Sequence, residues 1–138
     1  MVLILAAIFG FIIAKDVTQQ YANEHRDSNR NAELDRVLSK AASHLNKNSP
    51  MMLSKDLRQD GAIGFDHKFK YKLTFVNYTA SEIDASKLQA KNFTRIKNTV
   101  CSSMKSLWEN GITVIYMYYG KNGNLITSIS VAPKQCRE

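Results

Sequence analysis

The first part of the chain shows contrasting patterns of apolar and polar positions. Residues 2–14 carry no polar side chain, and residues 17–33 are strongly polar. Apolar side chains then return at intervals of three and four residues, at Leu34, Leu38, Ala41 and Leu45. This spacing predicts a helix with one apolar face, and Pro50 ends it because the residue before a proline disfavours the helical backbone region.

After Pro50 the apolar period changes to two residues, which is typical of a strand with one buried face and one wet face. Four apolar side chains alternate with four polar ones along this strand: Phe69, Tyr71, Leu73 and Phe75 with Lys68, Lys70, Lys72 and Thr74. Residues 57–65 precede it and are interrupted by Gly61 and Gly64. They predict a weaker partner strand, with a turn near Asp66.

A second helix and a hairpin complete the pattern. Polar residues at 81–84 offer N-caps, an apolar stripe follows, and Asn110-Gly111 ends the helix. Residues 112–119 and 125–131 are β-prone and flank an Asn-Gly turn. The order of helix, two strands, helix, two strands predicts an α+β fold, with helices packed on one face of a small antiparallel sheet. This domain is expected at residues 48–138.

The apolar run 2–14 predicts contact with a membrane. At ~1.5 Å per residue its helix is about 20 Å long, shorter than the ~30 Å hydrocarbon core, so an anchor needs the residues that follow. Lys15 would then snorkel and Tyr21 would lie at the interface. A cleaved signal peptide is the alternative, but no basic residue precedes the run. We expect residues 1–20 to be an uncleaved anchor and 21–47 a polar stalk helix that docks at its end.

The charge balance favours acidic partners without identifying one. Lys and Arg number 19 against 12 Asp and Glu, giving a formal charge of +7. Its most regular feature is the row Lys68, Lys70 and Lys72, a candidate binding surface for an acidic partner or anionic headgroups. The alternative is the ordinary solvated face of a sheet, or an edge protected against strand addition.

Catalytic and metal chemistry find little support in the motifs. His25, His44 and His67 do not fall at a metal-ligand spacing, and no nucleophile elbow, Gly-rich phosphate loop or C-x-x-C pair occurs. We therefore expect no enzyme activity, no cofactor and no metal. The predicted membrane anchor and the lack of a known nucleic-acid-binding motif also argue against nucleic acid as a partner.

The two cysteines favour a disulfide between Cys101 and Cys136. Cys101 lies within the second predicted helix and Cys136 just past the last strand, so a helix that covers the sheet brings them together. Two reduced thiols in a cytosolic protein are the alternative. An apolar N-terminal run indicates export, and exported proteins reach compartments where disulfides persist.

The residues from Phe93 to Cys136 resemble a pattern of small secreted or membrane-anchored bacterial proteins. Its parts are a helix with a Cys, a Gly-apolar-Thr loop, an aromatic strand, an Asn-Gly turn and a closing Cys. The layout of residues 45–138 is similar to that of the α/β pilotins of type II secretion systems, which have one such disulfide.

The resemblance and the predicted anchor together imply a function. We expect a non-catalytic, single-pass inner-membrane protein whose periplasmic domain binds a protein partner in an envelope complex of the secretion, pilus or exclusion type. The alternative is a pilin-like structural subunit of a filament or membrane assembly.

Overall fold

The computed structural model describes residues 27–138. Helix α1 (Asp27–Asn46) is followed by strands β1 (Met51–Met52), β2 (Leu57–Phe65) and β3 (Lys68–Phe75). A short 3₁₀ helix (Ala80–Glu82) leads into α2 (Ala85–Ser103) and α3 (Lys105–Trp108). The chain ends with β4 (Thr113–Gly120), β5 (Leu125–Val131) and α4 (Pro133–Cys136). The α+β class is confirmed.

Helix α1 packs its predicted apolar stripe against the sheet. Six of its side chains are buried, namely Leu34, Val37, Leu38, Ala41, Ala42 and Leu45. The helix lies so close to β2 that a Cβ atom on Gly64 would stand 2.6 Å from the carbonyl oxygen of Leu38. Glycine at position 64 is therefore what permits this approach.

The sheet is mixed, so the prediction of an antiparallel sheet is wrong for one strand pair. Its order is β1-β2-β3-β4-β5, and β3 pairs with β4 in parallel while the other three pairs are antiparallel. The cause is the crossover between them, in which α2 returns the chain to the end of the sheet where β3 began. A connection of this length, with a helix, is what parallel neighbours need.

The second predicted helix is divided into α2 and α3 at Met104. Asp84 caps α2 by accepting a hydrogen bond from the backbone N–H of Lys87 (3.1 Å). At the other end, the indole N–H of Trp108 donates to the carbonyl oxygen of Cys101 (3.1 Å). That carbonyl would accept from residue 105 in a continuous helix. The break lets Leu107 and Trp108 turn into the core, where both are buried.

The core lies between the helices and one face of the sheet. Its sheet side is formed by Phe69, Tyr71 and Leu73 on β3 and by Val114, Tyr116 and Tyr118 on β4. Helix α1 lies against β2, and α2 lies against β5. The predicted packing of helices on one face is therefore present.

No helix within residues 27–138 is both long enough and apolar enough to span a membrane. The predicted anchor, residues 1–20, lies outside the described residues, as does the first part of the predicted stalk, 21–26.

Candidate functional site: the uncovered face of the sheet

The strict alternation of β3 places its lysines opposite the core. Phe69, Tyr71 and Leu73 point toward the helices and are buried. Lys68 and Lys72 are exposed and Lys70 is half-buried. The sequence therefore places the lysine row correctly, on the face of β2–β5 that α1 and α2 do not cover. We call this surface the uncovered face.

The strand register brings apolar side chains beside the lysines. Lys70 lies between Ile63 on β2 and Ile115 on β4, its pairing partners on either side. Lys72 pairs with Met117, and its Nζ atom lies 5.1 Å from the ring centroid of Tyr119. That distance is within the range of a cation–π contact. The lysines thus stand among apolar and aromatic neighbours.

Most large exposed apolar side chains of residues 27–138 share this face. Five such side chains are 40% or more exposed. The register assigns four of them to the uncovered face: Met52 (46%), Ile63 (55%), Phe65 (53%) and Leu125 (53%). Scattered apolar residues are normal on a surface, but their concentration on one face makes that face a candidate binding surface.

The carboxylate of Asp60 on this face is already engaged. Its two oxygens accept hydrogen bonds from Arg58 Nε and from the hydroxyl of Thr74. No ion pair in the described part of the chain involves Lys68, Lys70 or Lys72. The lysine row is therefore a net positive surface that is available to an acidic group.

Sequence reasoning missed the apolar members of this face because of a β-bulge at Asp60. Arg58 and Gln59 pair with Thr74 and Leu73, but the next pair is Gly61 with Lys72, so Asp60 is the extra residue. The extra residue reverses the alternation of β2. Ala62 and Gly64 consequently face α1, and Ile63 and Phe65 face outward. Gly61, with its φ of 157°, is the sequence signal that marks the irregularity.

Buried tyrosines are the titratable groups of the core. Burial raises the pKa of Tyr71 and Tyr116, whose rings stack at a centroid distance of 4.8 Å. Burial raises the pKa of Tyr118 to about 12, although nearby Arg95 opposes the shift. All three are neutral at physiological pH, and their role in the described structure is packing.

The predicted disulfide is confirmed. Cys101 on α2 and Cys136 on α4 are bonded, with their Cα atoms 5.2 Å apart. The bond fixes the C-terminal end of the chain to α2, the helix that packs against β5.

The histidines do not form a metal site in the described part of the chain. His44 is exposed on α1, His67 occupies the β2–β3 turn, and His25 lies outside the described residues. Residues 27–138 bring together no group of three metal-ligating side chains. Two shallow depressions lie along α2, one of them lined by Lys91, Arg95 and Asn98. Neither includes a residue of the uncovered face.

The fold is shared with solved structures of bacterial proteins. A Pseudomonas aeruginosa protein thought to be secreted superposes with a TM-score of 0.65, at 18% identity, over 78% of this chain and 96% of its own. EpsS, the pilotin of the type 2 secretion system of Vibrio vulnificus, gives 0.63 at 11% identity over 81% and 99%. AspS, a type II secretion pilotin from Vibrio cholerae, gives 0.52 at 16% identity over 79% and 97%.

These likenesses confirm the predicted similarity to pilotins in layout. At such identities they establish the fold alone. No protein-family model matches the chain, and no curated protein matches it in sequence.

Proposed function

We propose that this chain is a non-catalytic accessory protein of a bacterial envelope complex that binds a protein partner through the uncovered face. The observation that carries the proposal is the row Lys68, Lys70 and Lys72 among large exposed apolar side chains. The partner that this surface suits is an amphipathic segment with acidic side chains. The fold of this chain, which is shared with two secretion pilotins, supports an accessory role.

The two kinds of side chain on this face contribute differently to binding. Ile63, Phe65 and Leu125 are each about half exposed, and covering them removes apolar area from water at roughly 25 cal/mol per Å². The lysines steer an acidic partner toward the face and fix its orientation more than they add affinity. Apolar contact therefore holds the partner, and charge selects it.

Recognition, rather than catalysis, is the chemistry that these groups offer. The uncovered face supplies cations, aliphatic contact area and the ring of Tyr119, while Asp60 is held by Arg58 and Thr74. A general base needs an available group with a tuned pKa beside its target. Asp60 is engaged as a structural acceptor.

An oxidising compartment fits the proposal. The bond between Cys101 and Cys136 belongs to proteins outside the reducing cytosol. We place the domain in the periplasm, held at the inner membrane by the predicted anchor, residues 1–20. Fractionation with protease access in spheroplasts tests this placement, and recovery of the intact chain from the cytosol would contradict it.

The binding proposal is tested by crosslinking in cells. A photo-crosslinking amino acid replaces Ile63 in the full chain, since that side chain is 55% exposed beside Lys70. We expect a specific protein adduct whose contact segment carries acidic side chains. The combined change of Lys68, Lys70 and Lys72 to Glu should abolish the adduct.

A matched control separates the uncovered face from general charge. Lys87, Lys91 and Lys105 are also on the surface but lie on α2 and α3. Changing these three to Glu alters the net charge by the same amount and should leave the adduct unchanged. Equal loss in both triple variants, or retention in the first, would refute the proposal.

A further inference from the structure

The outer edge of β2 is closed by polar side chains of α1. Asn46 accepts from the backbone N–H of Ala62 (2.7 Å) and donates to its carbonyl oxygen (3.0 Å). The hydroxyl of Ser39 donates to the carbonyl of Gly64 (3.0 Å). The remainder of this edge pairs with β1, which is only two residues long. Such covering prevents pairing with another strand.

The direction of the backbone groups on β5 follows from two hydrogen bonds at the ends of β4. The N–H of Thr113 donates toward the β3 side, to His67 (2.9 Å), and the N–H of Gly120 donates toward the β5 side, to Asn124 (2.9 Å). Successive residues of a strand direct these groups to opposite sides. The even-numbered residues of β4 therefore bond to β5.

The partners of those even-numbered residues are Val131, Ile129 and Thr127. Ser128 and Ser130, which alternate with them, direct their N–H and C=O groups away from the sheet. None of these four backbone groups has a hydrogen-bond partner among the described residues. The edge of β5 is thus open where that of β2 is closed.

We infer that the edge of β5 pairs with β5 of a second copy of this chain, in antiparallel register about a two-fold axis at Ile129. In this register Ser128 lies opposite Ser130 of the second copy, and Ser130 opposite its Ser128. Both are pairs that exchange two hydrogen bonds, so four bonds form and every outward group of these serines is satisfied. The two five-stranded sheets become one continuous sheet.

The charge distribution fits self-association at this edge. Residues 122–133 contain no charged side chain, so the paired β5 segments of the two copies bring no charges together. The nearest lysine rows, on the two β3 strands, are separated by five strand spacings, or about 24 Å. That is about three Debye lengths at physiological salt, so their repulsion is screened.

The closed edge limits this association to two copies. A chain with two open edges would add copies without end, whereas the edge covered by Asn46 and Ser39 cannot accept a strand. The dimer would also double the uncovered face, with two lysine rows on one side of one sheet. The inference itself does not depend on the proposed function.

The test is sedimentation of the full chain in mild detergent at concentrations up to the millimolar range. We expect a concentration-dependent dimer, together with slower amide hydrogen exchange at Ser128 and Ser130 as concentration rises. The amides of Thr127 and Ile129 should be protected at every concentration, because they bond within the sheet. Constant rapid exchange at both serines, with a monomeric mass throughout, would overturn the inference.

Two substitutions of one residue identify the edge. Ser130→Pro removes an N–H that does not bond within the sheet, and Ser130→Ala keeps it. We expect Ser130→Pro to weaken dimerisation by about tenfold or more, since two donors are lost per dimer, and Ser130→Ala to leave it unchanged. Circular dichroism confirms folding of both. A folded Ser130→Pro variant that dimerises as well as the wild type would refute the pairing at β5. Association that is lost only when Lys68, Lys70 and Lys72 are changed to Glu would also refute it.

Discussion

Asn46 hydrogen-bonds to both backbone polar groups of Ala62, so one side chain at the end of α1 occupies the place that a neighbouring strand would take. This relationship ties the helix to the sheet at a position 16 residues away along the chain. It also distinguishes a protected edge of the sheet from an open one.

Replacing Asn46 with Ala should open the β2 edge. Both groups of Ala62 lose their partner, and we expect a loss of about 1–2 kcal/mol in the free energy of unfolding. Because an open edge pairs with other chains, aggregation on heating should also increase. Urea unfolding and light scattering measure the two effects. The control is Asn48→Ala, an exposed residue just past the helix, and equal behaviour of the two variants would contradict this account.

Gly64 should not tolerate a side chain. A methyl group there would meet the backbone carbonyl of Leu38 at 2.6 Å, and backbone cannot move aside as a flexible side chain does. We expect Gly64→Ala to cost about 1–3 kcal/mol. Its neighbour Ile63 is 55% exposed, so Ile63→Ala should change stability by less than about 0.5 kcal/mol. A Gly64→Ala variant as stable as Ile63→Ala would show that α1 does not lie this close to β2.

The disulfide should contribute a large share of stability. Its two cysteines are 35 positions apart, and in the chain-entropy model a loop of this length contributes about 3–4 kcal/mol. We expect the urea midpoint of the wild-type domain to fall on reduction. The variant with both Cys101 and Cys136 changed to Ser should show the lower midpoint with or without reductant. A midpoint that reduction does not move would contradict the prediction.

The amino-acid sequence predicts β3 from Lys68 to Leu73 because nothing interrupts its alternation there, whereas Thr74, predicted on the wet face, is buried against Asp60. Each aromatic or leucine position from Phe69 to Leu73 is buried, and each lysine between them faces outward. The lysine row therefore follows from the period alone. The same holds for the apolar stripe of α1.

The sequence predicts β2 as a strand over residues 57–65. It predicts neither which side chains of β2 face the core nor the direction of β4, for different physical reasons. On β2, the extra residue Asp60 reverses which side chains face the helices, so a period of two places Ile63 and Phe65 on the wrong side. Between β3 and β4, direction depends on where α2 returns the chain, which is a property of the tertiary fold. The apolar part of the candidate site depends on the β-bulge at Asp60.

The break between α2 and α3 is also a tertiary effect. Met104 carries no helix-breaking side chain, and the apolar spacing continues through it to Leu107. The gain from burying Leu107 and Trp108, with the indole bonded to Cys101, outweighs the lost helical hydrogen bond. The apolar periodicity along one helix carries no information about the hydrogen bond between Trp108 and Cys101.

Stability should fall at alkaline pH because the core tyrosines resist ionisation. Tyr118 has its pKa raised by burial to about 12, against about 10 in the unfolded chain, and burial raises the pKa of Tyr71 and Tyr116 as well. Above pH 10 the unfolded chain loses these protons while the folded chain keeps them, so ionisation favours unfolding. The stability that neutral tyrosines provide is therefore fully present below pH 10 and is lost as the pH rises toward 12. Each tyrosine contributes up to about 1.4 kcal/mol per pH unit in that range.

Urea midpoints at pH 8, 10 and 11, with tyrosinate absorbance recorded in parallel, measure the effect. Tyr118→Phe removes one of these groups and should reduce the slope, whereas Tyr78→Phe, at an exposed position, should leave it unchanged. Midpoints that stay constant to pH 11 would show that these rings are not held in a dry core.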